Sequence, residues 1–264
     1  MNGPKNTGKK ISKMKTNTLQ FNKKAGNFLA FYTDRGDVSD SPYSGFNCCT
    51  YTGDDEAHTA KCREELCKEL GIDSDKLITA RQTHSTNVAI IGDTIGDLYG
   101  VDGLVTKRRD IVLGVFTADC VPVVLCDPVA GVVAAVHAGW KGAMNGIAAV
   151  AVEKMVSIGA DPQKILATFG PAICQDCFEV GDEVVEQFAE KGLPINQLVK
   201  RQQQTGKAHI DLVGTVEYWL TQAGVAAENI RRSSLCTKCD PSRFFSARNL
   251  GINSGRVLTG IKIL

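Results

Sequence analysis

A mixed α+β fold, with mixed β-sheets, is what this sequence predicts. Three observations carry the prediction. Short β-type runs interleave irregularly with helical patterns, and some of those runs follow one another as hairpins. No Gly-rich phosphate fingerprint of either common kind is present, which argues against a doubly wound nucleotide fold. With 43% hydrophobic residues in 264, the chain can bury a substantial core without disulfides or metals as staples.

The elements follow in order. Residues 26–34 read as a first strand. Residues 36–55, rich in Gly, Ser, Asp and Pro, read as a long loop, a feature that in compact domains is often functional. Asp54 or Asp55 is placed to cap a helix over 56–70, where Cys62, Leu66 and Leu70 share one face and read as core. His58 lies in its first turn, where a solvated role is expected. Strands are expected at 76–80, 87–91 and 104–106, the first two flanking Arg81-Gln82-Thr83-His84-Ser85.

The most apolar stretch is 110–142. Two β-type runs in it, 111–116 and 132–136, run into Thr117-Ala118-Asp119-Cys120 and His137-Ala138-Gly139-Trp140. An amphipathic helix is expected from Trp140 to about Ile158, with Met144, Ile147, Ala148, Ala151, Met155 and Ile158 on its core face. A strand at 165–169, a helix at 181–191, a polar loop holding Gln202, Gln203 and Gln204, a helix at 212–223 capped by Asp211, and a last strand at 256–263 complete the reading.

Composition excludes several classes. A formal net charge of +1 gives no electrostatic case for nucleic acid or an anionic membrane. No apolar run approaches the ~18 residues that a spanning helix needs. Residues 1–25 carry Lys and no acid, lack the apolar core of a secretory signal, and read as a flexible basic arm ahead of one domain over 26–264. Ten Cys are too sparse for a disulfide scaffold, so reduced thiols and a cytoplasmic location are expected.

Four His are present: His58, His84, His137 and His209. His84 sits beside a turn, and Cys120 and His137 each end a β-type run. A His/Cys/His set with an open fourth position is the pattern of a catalytic zinc site. The same residues also fit a Cys120 nucleophile with His84 or His137 as base, and the spacing alone does not separate the two. Cys174-x-x-Cys177 and Cys236-x-x-Cys239 together make a complete four-thiolate set. Their separation far exceeds the usual ~15–20 residues of a zinc knuckle, and free or buried thiols are the preferred reading. The core-facing residues after Trp140 are explained by packing.

Several blocks occur in a specific order: Gly45-Phe46-Asn47, Gln82-Thr83-His84, Val101-Asp102-Gly103, Thr117-Ala118-Asp119-Cys120, Val136-His137-Ala138-Gly139-Trp140, Phe169-Gly170-Pro171 and Phe244-Phe245-Ser246-Ala247-Arg248. In this order they resemble the YfiH/YlmD-type laccase-domain family, historically labelled polyphenol oxidase or multicopper laccase. The resemblance implies a four-layer α/β/β/α domain and a zinc site at His84, Cys120 and His137. It implies a purine nucleoside enzyme, a monomer or homodimer that takes nucleoside and phosphate. The implied reactions are phosphorolysis of adenosine, inosine, guanosine and methylthioadenosine, with adenosine deamination as side activity. Asn47, Cys120 and Arg248 match catalytic positions; Arg248 with Lys141 would hold phosphate.

Two departures are visible. Lys141 stands where Arg is usual, and the familiar Tyr and second Arg of the last block are Ala247 and Asn249. Alternatives attached to the family are editing of cell-wall precursors and copper-dependent polyphenol oxidation. A trigonal His₂Cys set also suits copper, but a multicopper oxidase needs a His-rich trinuclear cluster, and only His58 and His209 remain. For deamination, Asp119 is the nearest acid to Cys120, although adjacent strand residues point to opposite faces.

Overall fold

The structure, a computed structural model, describes residues 16–23, 25–36 and 38–264. Residues 1–15 and 24 of the expected basic arm lie outside the described residues. The chain opens with β1 Thr16–Thr18, β2 Phe28–Thr33, α1 Glu56–Leu70, β3 Leu77–Thr79, β4 Val88–Ile90 and β5 Gly103–Thr106. The central strands are β6 Val112–Thr117, β7 Val121–Asp127 and β8 Val132–Ala138, followed by α2 Trp140–Met144, α3 Ile147–Ser157 and β9 Leu166–Phe169. Next come β10 Glu179–Val180, α4 Asp182–Glu190, α5 Ile195–Leu198, β11 Val199–Arg201, β12 Ala208–Ile210 and α6 Leu212–Gln222. The chain closes with β13 Ile230–Arg231, α7 Ala247–Leu250 and β14 Val257–Ile263.

These strands form a five-stranded sheet, β1-β2-β14-β6-β3, a six-stranded sheet, β13-β9-β7-β8-β5-β4, and a small sheet, β10-β12-β11. Both large sheets are mixed: β3 runs parallel to β6 and β4 to β5, while the central neighbours are antiparallel. The α+β class expected from the sequence is therefore what forms.

The layering follows from two-residue alternation. On β8, Val132, Ala134, Val136 and Ala138 pack with Ile147, Ala151 and Met155 of α3 and Val216 and Leu220 of α6. Val133 and Ala135, on the opposite face, pack with Leu113 and Val115 of β6 and Ile261 of β14. On β6, Val112 and Phe116 face away from that interface and meet Cys62, Leu66 and Leu70 of α1. One helix, two sheets and a helical layer result. Each fully buried Val or Leu contributes about 1.5–3 kcal/mol, so the interfaces between layers hold most of the stability.

α1 spans the expected residues because both ends are locally signalled. Asp55 accepts from His58 N at 2.9 Å, and Gly71 closes the helix at φ 64°. Cys62 is core, as expected. α6 begins where Asp211 accepts from Gly214 N at 2.8 Å.

Four details correct the sequence reading. Thr16–Thr18 belongs to the five-stranded sheet rather than to a free arm: it pairs with β2, and the Thr16 hydroxyl reaches Glu69 of α1. The helix after Trp140 is two helices, α2 and α3. Gly146 takes φ 79° between them, and a Cβ there would press on the Trp219 ring at 3.2 Å. β7 is a strand in its own right despite Pro122, because β8 and β9 pair with it on both sides. The polar loop around Gln202 is the turn of a hairpin, β11–β12.

The connections gather three segments at one end of the sandwich. The chain passes from the five- to the six-stranded sheet twice, between β3 and β4 and between β6 and β7. β3 and β6 are parallel, so both crossings start at the same end. β8 finishes there too, since Val121 pairs with Ala138.

Candidate metal centre

His84 lies on the first crossing, Cys120 on the second, and His137 near the end of β8. One ligand atom from each lies within 4.8 Å of the others. Cys120 Sγ is 3.6 Å from His84 Nε2, and the two imidazoles meet edge to face with centroids 4.9 Å apart. Zn–N of ~2.0 Å and Zn–S of ~2.3 Å at a tetrahedral angle require N···S of roughly 3.5 Å, so the donor set fits one such ion. The zinc-type set expected at His84, Cys120 and His137 is brought together.

The strongest organiser is a residue the sequence reading did not single out. Asp102, just before β5, is fully buried. Its Oδ1 is 2.7 Å from His137 Nδ1. A carboxylate can only accept, so Nδ1 carries the proton and Nε2 is left free to ligate. Asp102 also accepts from His84 N at 3.0 Å, Ser85 N at 2.8 Å and Ser85 Oγ at 2.7 Å. Its backbone oxygen takes His137 N at 2.7 Å. One carboxylate thus fixes two of the three ligands. The available signal was an acid set between Val101 and Gly103 at the start of an apolar strand.

The charges agree with this geometry. Burial works against ionising Asp102, yet bonds from His137 and Ser85 hold its pKa down at about 2. Burial alone would raise the Cys120 thiol; the charge of His137 and bonds from both imidazoles bring it down to about 6. Burial opposes a proton on His137, but Cys120 and Asp102 carry its pKa up to about 9.

The backbone is strained at this place. Among the described residues, the non-glycine positions with left-handed φ are His84, at 63°, and Asp119, at 86°. Such strain persists where surrounding bonds over-determine it. Gly139 is required for packing: a Cβ there would collide with the His84 ring.

The other expected residues are placed as follows. Asp119 spends both oxygens on structure, accepting from Thr237 Oγ1 at 2.6 Å and from Arg248 N at 2.7 Å. That corrects its expected place on a strand: Asp119 lies in the turn between β6 and β7, with one structural bond on each oxygen. Arg248 is thereby anchored to the residue beside Cys120; its guanidinium donates to Glu179 O at 3.0 Å and lies 5.0 Å from the Phe178 ring. Lys141, in the first turn of α2, holds its ammonium 5.4 Å from the Trp140 ring. Asn47 is fully buried, and its bonds go elsewhere: to Asp54 at 2.8 Å, from Cys49 N and from Arg256 N, both at 3.1 Å. His58 is half-exposed and pairs with the same Asp54.

Residues 28–264 match the family described as multi-copper polyphenol oxidoreductase laccase. The chain belongs to this family. Among its relatives, adenosine deaminase RL5 from an unknown prokaryotic organism is 49% identical over 253 residues, which cover 92% of this chain and 97% of that one. A purine nucleoside phosphorylase of Bacteroides thetaiotaomicron is 36% identical, covering 90% of this chain and 92% of the relative. The crystal structure of the hypothetical protein YfiH of Bacillus licheniformis superposes with a TM-score of 0.85 at 31% identity, covering 91% and 94% of the two chains. The family resemblance read from the ordered motifs is thus correct. The laccase label sits awkwardly with the histidines. His58 is committed to Asp54 and His209 Nδ1 to Gln175 O. No second histidine-bearing ligand group exists among the described residues.

Proposed function

We propose that this chain processes purine nucleosides at the His84–Cys120–His137 centre, with zinc as the resident metal. Phosphorolysis is the main reaction in this reading and adenosine deamination the secondary one. The observation that carries it is the three-donor cluster backed by Asp102, in a chain whose relatives are named for these two activities. Bound there, zinc would supply a Lewis acid for a substrate oxygen or nitrogen.

The protein's own groups have distinct tasks. Asp102 sets the tautomer of His137 and fixes the His84 loop. Arg248, held beside Cys120 through Asp119, supplies a cation for phosphate, with Lys141 as a second. Asn47 acts as a positioning residue, tying the long loop to Asp54 and to the start of β14. Deamination needs a proton-carrying group near the purine. Asp102 is fully bonded and Asp119 is already tied by one bond on each oxygen, which is why phosphorolysis is placed first.

The test is a zinc-loaded preparation given inosine and adenosine with and without phosphate. Hypoxanthine and ribose-1-phosphate should appear from inosine at a rate that rises with phosphate. Adenosine should give adenine with phosphate and a smaller inosine product without it. No turnover of any nucleoside by metal-loaded protein would sink the reading and move attention to cell-wall precursors or phenols as substrates.

A further inference from the structure

Away from the three-donor centre, Cys174, Cys177, Cys236 and Cys239 place all four sulfurs within 4.8 Å of one another. We propose that they form a second, closed metal site, a four-thiolate structural site for Zn²⁺. This inference is independent of the reading of the first centre.

The spacing fits the chemistry. Four sulfurs at ~2.3 Å from one tetrahedral ion lie roughly 3.8 Å apart. Cys177 Sγ and Cys239 Sγ are 3.4 Å apart, far beyond a disulfide bond of ~2.05 Å, and all ten cysteines are free thiols. Four donors complete a tetrahedron and leave no open position, the mark of a structural site.

The local backbone is shaped for ligation. Cys174 begins a tight turn in which Cys177 N and Phe178 N both donate to its carbonyl, at 3.0 and 3.1 Å. On the other segment Asp240 N closes on Cys236 O at 3.2 Å. An isolated parallel bridge, Ala172 to Cys236, brings the two segments together. Across it Cys174 N donates to Cys236 Sγ at 3.3 Å, a contact that offsets thiolate charge. Burial is graded: Cys236 is buried, Cys174 and Cys177 are half-buried, and Cys239 is exposed. An ion can therefore arrive from solvent, and hydrophobic packing does not account for the whole set.

The placement gives the site a task. Little regular structure lies between β13 and α7. Thr237, between two of the cysteines, donates to Asp119 beside Cys120. Phe178 and Glu179, just after Cys177, are the ring and carbonyl that hold the Arg248 guanidinium. A metal at the four thiols would staple both attachments of the wall that carries Asp119 and Arg248.

The experiment is metal counting on the full chain, purified from zinc-supplemented cells without chelator. Cys177→Ser/Cys239→Ser should carry about one zinc ion per chain fewer than wild type, and His84→Ala/Cys120→Ala should still carry about one. Since the cysteine variant can misfold, a second measurement uses His84→Ala/Cys120→Ala with all four cysteines intact. After zinc removal under reducing conditions, one equivalent of Co²⁺ should raise the intense thiolate-to-cobalt charge-transfer absorption of a four-sulfur site. One zinc or fewer in wild type with no cobalt band, or a Cys177–Cys239 disulfide in freshly purified protein in place of the metal, would overturn the proposal.

Discussion

The His84–Cys120–His137 centre and the Cys174–Cys177–Cys236–Cys239 cluster each bring their donor atoms within 4.8 Å of one another, yet they are built in different ways. The first stands at the ends of long strands and at two sheet crossings, with a buried carboxylate fixing its ligands. The second stands on two loops joined by a single bridge, with a backbone N–H serving a sulfur. The difference follows from the donor count. Three ligands with an open position must be held by the protein, because substrate and metal cannot be relied on to order them. Four thiolates close on an ion, and the ion then supplies the order that the loops lack. The strain agrees: among the described residues the left-handed non-glycine positions, His84 and Asp119, both belong to the first region.

This contrast can be broken or sharpened by mutation. The largest effect is expected for Cys120→Ala, which removes a ligand. Nucleoside turnover should fall to background while the zinc of the four-cysteine cluster is retained, as checked by product chromatography and metal counting. A wild-type rate would end the claim that the first region is the reacting one. Next is Asp102→Asn, which keeps the shape but loses the charge that orients His137. Loss of metal affinity or kcat/KM should be about 10–100-fold, measured by competition with a chelator and by initial rates. An unchanged affinity would mean that strand geometry alone suffices.

Gly139→Ala should cost roughly tenfold in kcat/KM, because the added methyl displaces the His84 ring while the sheets persist. Circular dichroism should match wild type, which separates a shifted ligand from a lost fold. For Arg248→Ala, the phosphate KM should rise by up to about tenfold with little change in kcat, the equivalent of about 1.4 kcal/mol of charge-assisted bonding. An equal loss without phosphate would instead mark Arg248 as a support for the Asp119 turn. The smallest effect on catalysis belongs to the second region. Cys177→Ser should leave kcat/KM within about threefold at 25 °C yet lower the Tm by more than about 5 °C in a scan of zinc-loaded protein. A large loss of activity with no loss of Tm would reverse the division of labour drawn between the clusters.

Much of this was legible in the sequence where the cause is local. α1 and α6 begin at Asp55 and Asp211 because an N-cap bond spans three residues. β-branched runs gave most of the strands, and the ordered motifs pointed to His84, Cys120 and His137. Other features had a weak local signal or a misleading one. The break between α2 and α3 was hidden because Gly146 interrupts a pattern whose apolar face continues across it. Pro122 disguised β7, since its missing N–H argues against a central strand until the partners on both sides are known.

By itself, the sequence determined the residue types able to bind a metal, the local elements that carry them and the family to which they belong. Tertiary structure alone decided which of them meet. Asp102 became the organiser because β5 pairs with β8 and sets it against His137. The two Cys-x-x-Cys pairs became one cluster because the Ala172–Cys236 bridge joins segments far apart in the chain. Caps and helical periods act within one or two turns, so composition and spacing reveal them. Ligand convergence depends on strand register and sheet crossings, which spacing along the chain does not encode.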